Sequence, residues 1–238
     1  MDTNSTTTNR ADITIAAVTG GSNTLTLTTE NNVTGSDITA SGAISGVTTL
    51  TLSNVGGTAT LSADVDVTTL SVDNTVANVA FTGNGSSVTN AVSFANDGTL
   101  TLGTSGGTQT YNGGLTTTSV GGTVTLNGTI DTSNDAVVLG AVTLGSATTV
   151  DTNATDGTGD ITIGAVTGTD INLTLDTTST TGSANHTFNG DIRLGSDGAL
   201  VVTGDVVLGA NVTVVGGGGV TFNNDINADD ASNNDRTL

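Results

Sequence analysis

The sequence predicts an all-β chain wound as a parallel β-helix, or β-solenoid. Three observations predict it: apolar and polar residues alternate in short runs, turn-forming pairs separate the runs, and short motifs recur at uneven spacing. Each bears on a different level of structure.

The alternation sets the strands. Asp12-Ile13-Thr14-Ile15, Thr24-Leu25-Thr26-Leu27-Thr28, Thr49-Leu50-Thr51-Leu52, Thr58-Ala59-Thr60-Leu61, Val65-Asp66-Val67 and Leu70-Ser71-Val72 all place every second side chain on one face. The pattern continues through 76–81, 88–94, 99–102, 108–111, 123–126, 137–144, 161–163, 171–175, 186–188, 200–203, 206–208, 212–215 and 220–222. Helix is rejected because Gly and β-branched residues are spread throughout and no window carries an apolar stripe at the helical period. Thr suits the outward positions, where its branched carbon favours the strand and its hydroxyl stays wet.

The turns set the spacing. Gly-Gly, Asn-Gly, Asp-Gly, Asn-Asn and Ser-Asn pairs, which tolerate left-handed backbone, lie between the runs. Strand onsets therefore recur about every ten residues, the rhythm of an all-β architecture.

The repeats select a solenoid. Tyr111-Asn112-Gly113, Leu126-Asn127-Gly128, Phe188-Asn189-Gly190 and Phe222-Asn223-Asn224 share one motif, and ADITIAAVTG from Ala11 is echoed by GDITIGAVTG from Gly159. Leu139-Gly140-Ala141-Val142-Thr143-Leu144-Gly145 pairs in the same way with Thr203-Gly204-Asp205-Val206-Val207-Leu208-Gly209. Uneven spacing fits stacked coils, since one coil can gain or lose residues without disturbing its neighbours. Roughly 20 residues per coil and rungs about 4.8 Å apart predict about eleven coils in a rod on the order of 50 Å long. The alternative is a pair of tandem β-sandwich domains with the echo marking their starts. Residues 1–10 and 229–238 lack the alternation and are expected to be disordered, leaving 11–228 as a single solenoid.

Composition then excludes functions. Leu, Ile, Val and Phe make up 58 of 238 residues, just above the level at which high charge makes disorder the default, so patterning decides. Three arginines oppose 22 acids, for a net charge of −19. Such a chain has no cationic patch for a nucleic-acid backbone or an anionic membrane. There is no Cys, hence no disulfide framework. No apolar run is long enough for a spanning helix, and residues 1–10 do not read as a secretory leader.

Reactive constellations are equally scarce. His186 is the sole His and Glu30 the sole Glu, so neither a zinc site nor a Ser-His-Asp arrangement has its parts, and no enzyme is expected. His186 reads as a residue of the strand wall. Gly216-Gly217-Gly218-Gly219 has no following Lys and reads as a flexible turn. One segment offers hard oxygen ligands at close spacing around a glycine: Asp151, Asn153, Asp156 and Asp160 form a candidate calcium site. It departs from the EF-hand spacing and has no closing Glu. Calcium is the one cofactor the sequence suggests.

Leu126-Asn127-Gly128-Thr129-Ile130, Val220-Thr221-Phe222-Asn223-Asn224-Asp225-Ile226 and Gly159-Asp160-Ile161-Thr162-Ile163 resemble the repeats of filamentous-haemagglutinin-like adhesins and autotransporter passenger domains. The likeness is one of repeat style, over about 11–227. It implies a right-handed parallel β-helix at the bacterial surface or outside the cell, within a longer polypeptide. The function so implied is structural or adhesive and non-catalytic. Expected partners are a host or neighbouring-cell surface, a glycan, or a second copy joined end to end through unpaired terminal strands. The alternative function is a matrix protein that self-assembles in calcium or high salt.

Overall fold

The computed structural model describes residues 11–29, 34–152, 157–178, 184–228 and 236–238. They form a right-handed parallel β-solenoid. Every strand pair among them is parallel, and each strand pairs with its equivalents one coil before and one coil after. That pattern excludes the tandem sandwich, whose strands pair largely antiparallel.

Three faces make up each coil. On the first, Ile13, Ile38, Ala59, Val79, Leu100, Val124, Val142, Val166, Ile192 and Val214 succeed one another as register partners. These ten rungs define ten coils among the described residues. Coil length ranges from 18 residues, Val124 to Val142, to 26, Val166 to Ile192. The second face carries Gln109, Ile130, Val150, Leu175, Val202 and Phe222 in register, and the third carries Leu115, Val137, Ile161, His186, Val206 and Ile226. At about 4.8 Å per rung, ten coils stack to roughly 45 Å. Val212 N donates to Thr237 O at 3.0 Å, so the terminal 236–238 segment lies against the tenth coil, whereas 1–10 and 229–235 fall outside the described residues.

The inward rows close over one continuous core. Leu50, Leu52, Leu100, Leu102, Leu126, Ile130, Ile161 and Ile163 are fully buried. Each such side chain contributes about 1.5–3 kcal/mol by leaving water. Because the rungs are in register, like residues lie over like, and a narrow interior is filled without large aromatics. Four of the five Phe and Tyr residues gather in two places: Phe81 against Tyr111, and Phe188 between His186 and Phe222.

Corners explain the recurring motifs. Leu126-Asn127-Gly128 turns from the first face to the second, Tyr111-Asn112-Gly113 and Phe222-Asn223-Asn224 from the second to the third, and Phe188-Asn189-Gly190 from the third to the first. One local solution serves all three corners, which is why its spacing along the chain is irregular. Likewise Ile13–Ile15 lies on the first face and Ile161–Ile163 on the third, so the long-range echo marks two different corners of the coil rather than domain starts. Gly128 takes φ 66°, and a Cβ there would come within 2.4 Å of the Gly107 and Thr104 carbonyl oxygens. The run 137–144, which the alternation reads as one strand, divides at Gly140-Ala141 into Val137–Leu139 on the third face and a rung beginning at Val142 on the first.

Candidate functional site

Asp and Asn residues at the corners have a specific job. A backbone N–H that leaves the ladder at a corner needs another acceptor, and a side-chain oxygen from the preceding coil supplies it. Asp12 Oδ1 accepts from Asp37 N at 2.9 Å, Asp37 Oδ1 from Thr58 N at 2.7 Å, and Asp64 Oδ1 from Gly85 N at 2.8 Å. Asn78 does the same for Thr99, Asp160 for Asn185, Asn172 for Ala199 and Asp191 for Thr213. Asp170 Oδ1 accepts from both Ser196 N and Asp197 N, at 2.7 and 3.0 Å. At Asp170 and Asp191 such bonds favour the ionised form. The Asp197 and Ser196 groups hold the Asp170 carboxyl below the usual carboxylate range, and the Thr213 amide, then Arg193, does so for Asp191.

The candidate calcium ligands divide between these roles. Asp151 ends a second-face rung and points outward beside Asp131 and Asp176, its partners on the neighbouring coils. Asp160 leads into the third face, with its carboxylate on Asn185 N. The two ends of the intervening loop are tied together by Thr152 Oγ1, buried, which donates to Gly159 O at 2.6 Å. Asn153 and Asp156 lie outside the described residues. Among the described residues no group of three or more His, Asp or Glu side chains is placed to hold a metal ion.

Buried polar residues inside the coil were the least visible from sequence. Thr132, Thr152 and Thr177 occupy equivalent inward positions and donate to the carbonyls of Asp135, Gly159 and Ala184, each closing a loop at the second-to-third corner. The signal was available as a Thr directly after the outward Asp of each rung: Asp131-Thr132, Asp151-Thr152, Asp176-Thr177. Gln109 donates to Phe81 O and Gly83 O and accepts from the Tyr111 hydroxyl, whose burial raises its pKa. His186 is fully buried; Nε2 lies 3.0 Å from Thr203 O and 3.2 Å from Thr177 Oγ1, and Nδ1 has no partner. Burial lowers its pKa, opposed by the Thr203 carbonyl and by Asp176, Asp160 and Asp205. Gly216-Gly217-Gly218-Gly219 packs on the preceding coil, with Gly217 N on Gly195 O and Gly218 N on Gly198 O; a Cβ on Gly217 would come within 1.9 Å of Ser196 O. That contact, more than flexibility, requires glycine there.

The outward rows are the surfaces left for a partner. On the first face Thr14, Thr39, Thr60, Ala80, Thr101, Thr125, Thr143 and Thr167 follow in register, then Arg193 and Val215. On the second, Thr108, Thr129, Thr149 and Thr174 form one row, and Thr110, Asp131, Asp151 and Asp176 form the next. A shallow depression of about 350 Å³ lies on the first face beside Thr123, Thr143 and Thr167. Another, about 260 Å³, lies where Gly46 and Ser22 bulge out of the second face at positive φ. No helix among the described residues is long and apolar enough to cross a membrane.

No protein-family model matches the chain, and comparison with curated proteins and with solved structures finds no match. The architecture, a β-solenoid, is consistent with the general class of β-helix repeat proteins.

Proposed function

We propose that the chain is a non-catalytic scaffold segment of a bacterial surface or secreted protein, a rod that carries or spaces an adhesive surface. The observation that carries this reading is the use of its polar side chains: corner Asp and Asn join one coil to the next, and inward Thr, Gln and His close the interior. Chemistry-bearing residue types are spent on stacking. In the last coil Val220, in register with the buried Leu200, is 40% exposed, an open apolar position that suits end-to-end contact with another copy. Solution scattering is expected to give an elongated particle, and beads coated with the chain are expected to adhere to cells or to surface glycans. Turnover of a polysaccharide in a substrate panel would overturn the non-catalytic reading, and beads that adhere to nothing would overturn the adhesive one.

A second reading is favoured by the row Asp131, Asp151 and Asp176, where three carboxylates stand on consecutive rungs. Such a row attracts cations, and calcium- or salt-dependent assembly would relieve its repulsion. Light scattering across matched calcium and sodium series separates the two readings: assembly specific to calcium supports the matrix protein, and indifference to calcium supports the spacer.

A further inference from the structure

Over 58–167 the first face is uncharged, in a chain of net charge −19. From Thr58 to Thr167, the outward positions of its rungs carry Thr, Asn and Ala and no ionisable side chain. Three of these rungs place two threonines each, two residues apart: Thr58 with Thr60, Thr99 with Thr101, and Thr123 with Thr125. Thr99, Thr101, Thr123 and Thr125, on neighbouring rungs, form a two-dimensional patch of hydroxyls with repeats of about 4.8 Å from rung to rung and about 6.7 Å along the strand; Thr143 and Thr167 extend one row of it, and Asn78, Ala80, Ala141 and Ala165 take the adjoining positions. Branching at Cβ leaves each Thr few rotamers, which limits how methyl and hydroxyl can be arranged along the rows. Neighbouring members already pair along the array, Thr143 Oγ1 with Thr167 Oγ1 at 3.1 Å and Thr99 Oγ1 with Asn78 Oδ1 at 2.9 Å.

We propose that this face binds crystalline ice. The surface of ice is itself a periodic sheet of neutral donors and acceptors, and the shorter and longer oxygen repeats on its prism face lie close to the two repeats of this array. Methyl groups between the hydroxyls hold water in cages instead of competing for it. One hydroxyl contributes little, but the solenoid fixes all of them relative to one another, so that contacts after the first cost little further ordering. The second face supplies an internal contrast. Its row Thr108, Thr129, Thr149 and Thr174 has the same rung spacing, but the adjoining row holds Asp131, Asp151 and Asp176. Carboxylates keep hydration shells of their own and break the lattice match. A neutral polysaccharide would meet the same hydroxyls yet has no need of regularity in two directions, and the regularity favours ice. This inference rests on the fold and not on the adhesive reading, so either can fail alone.

The test is slow growth of ice from a solution of the labelled full chain, reading its partition into the ice and the shape of single crystals. The chain is expected to enter the ice and facet the crystals. Thr101→Tyr and Thr125→Tyr are expected to lose both effects, and Thr129→Tyr and Thr149→Tyr to keep them, with thermal melts showing which variants fold. If a Tyr variant does not fold, Thr101→Lys and Thr125→Lys take its place, with the same loss expected. Exclusion of the unmodified chain from ice overturns the proposal, as does equal loss from second-face variants. Binding to insoluble neutral polysaccharide without partition into ice also overturns it and assigns the face to glycans.

Discussion

The first and second faces share a core and a strand pattern yet present different surfaces: one, over 58–167, an uncharged surface rich in threonine, the other a file of threonines beside a file of carboxylates. Both fold because register depends on the inward row, and the outward row is free to vary. The comparison also separates two kinds of Asp. A corner Asp such as Asp37 lends its oxygen to a backbone amide of the next coil, whereas Asp131, Asp151 and Asp176 stand in register on consecutive rungs, Asp176 Oδ1 accepting from Thr178 N of its own coil.

The largest expected effect contrasts inward with outward neighbours on one rung. Ile130→Ala, at a fully buried position, is expected to cost about 2–5 kcal/mol in urea unfolding. Thr129→Ala beside it is expected to change stability by less than about 0.5 kcal/mol. Equal effects would show that this rung does not alternate as described.

Next is the contrast between the two kinds of Asp. Asp37→Ala removes the acceptor for Thr58 N and is expected to destabilise by about 1–3 kcal/mol. Asp151→Asn keeps an acceptor and removes only charge; it is expected to stabilise by about 0.2–1 kcal/mol at low ionic strength. Salt should erase the second effect and leave the first. Destabilisation by Asp151→Asn would place that carboxylate among the structural ones.

Acid should act in two stages. His186 has a depressed folded pKa, so the folded state resists its protonation; that stability is complete above the unfolded value of 6.5 and is lost as pH falls below it. Asp170 and Asp191, also depressed, contribute stability present above the ordinary value of 3.8 and lost as pH falls through their lower folded values. Melting temperature against pH is therefore expected to decline first near 6.5 and again below 3.8. His186→Leu should remove the first decline alone. A first decline that persists in this variant would assign it to other groups.

The smallest expected effect concerns calcium. If Asp151 and Asp160 bracket a specific site, calorimetric titration shows saturable heat and melting temperature rises with calcium. Absence of both would leave their carboxylates to the roles already described.

Much of this was legible in the sequence, for identifiable reasons. Period-two alternation reports which side chains face inward, and Leu50, Leu52, Leu100, Leu102, Ile161 and Ile163 are buried as it requires. Corners were harder. The run 137–144 hides one, although the interval of three from Leu139 to Val142, both buried, breaks the period and marks it. The corner acceptors could not be read, because Asp37 and Thr58 are 21 residues apart and coil length varies from 18 to 26. For the same reason the acids read as a cation atmosphere and not as joints between coils. Half of the candidate calcium site, Asn153 and Asp156, lies outside the described residues.

The most direct test of the stacking register uses the absence of native Cys. Thr101 and Thr125 are register partners on consecutive first-face rungs, at a spacing a disulfide spans. Thr101→Cys with Thr125→Cys is expected to oxidise readily to an intramolecular disulfide and retain cooperative unfolding, while Thr101→Cys with Thr129→Cys, on different faces, stays reduced. Cross-linking of the second pair as readily as the first, or of neither, would contradict the register on which the solenoid rests.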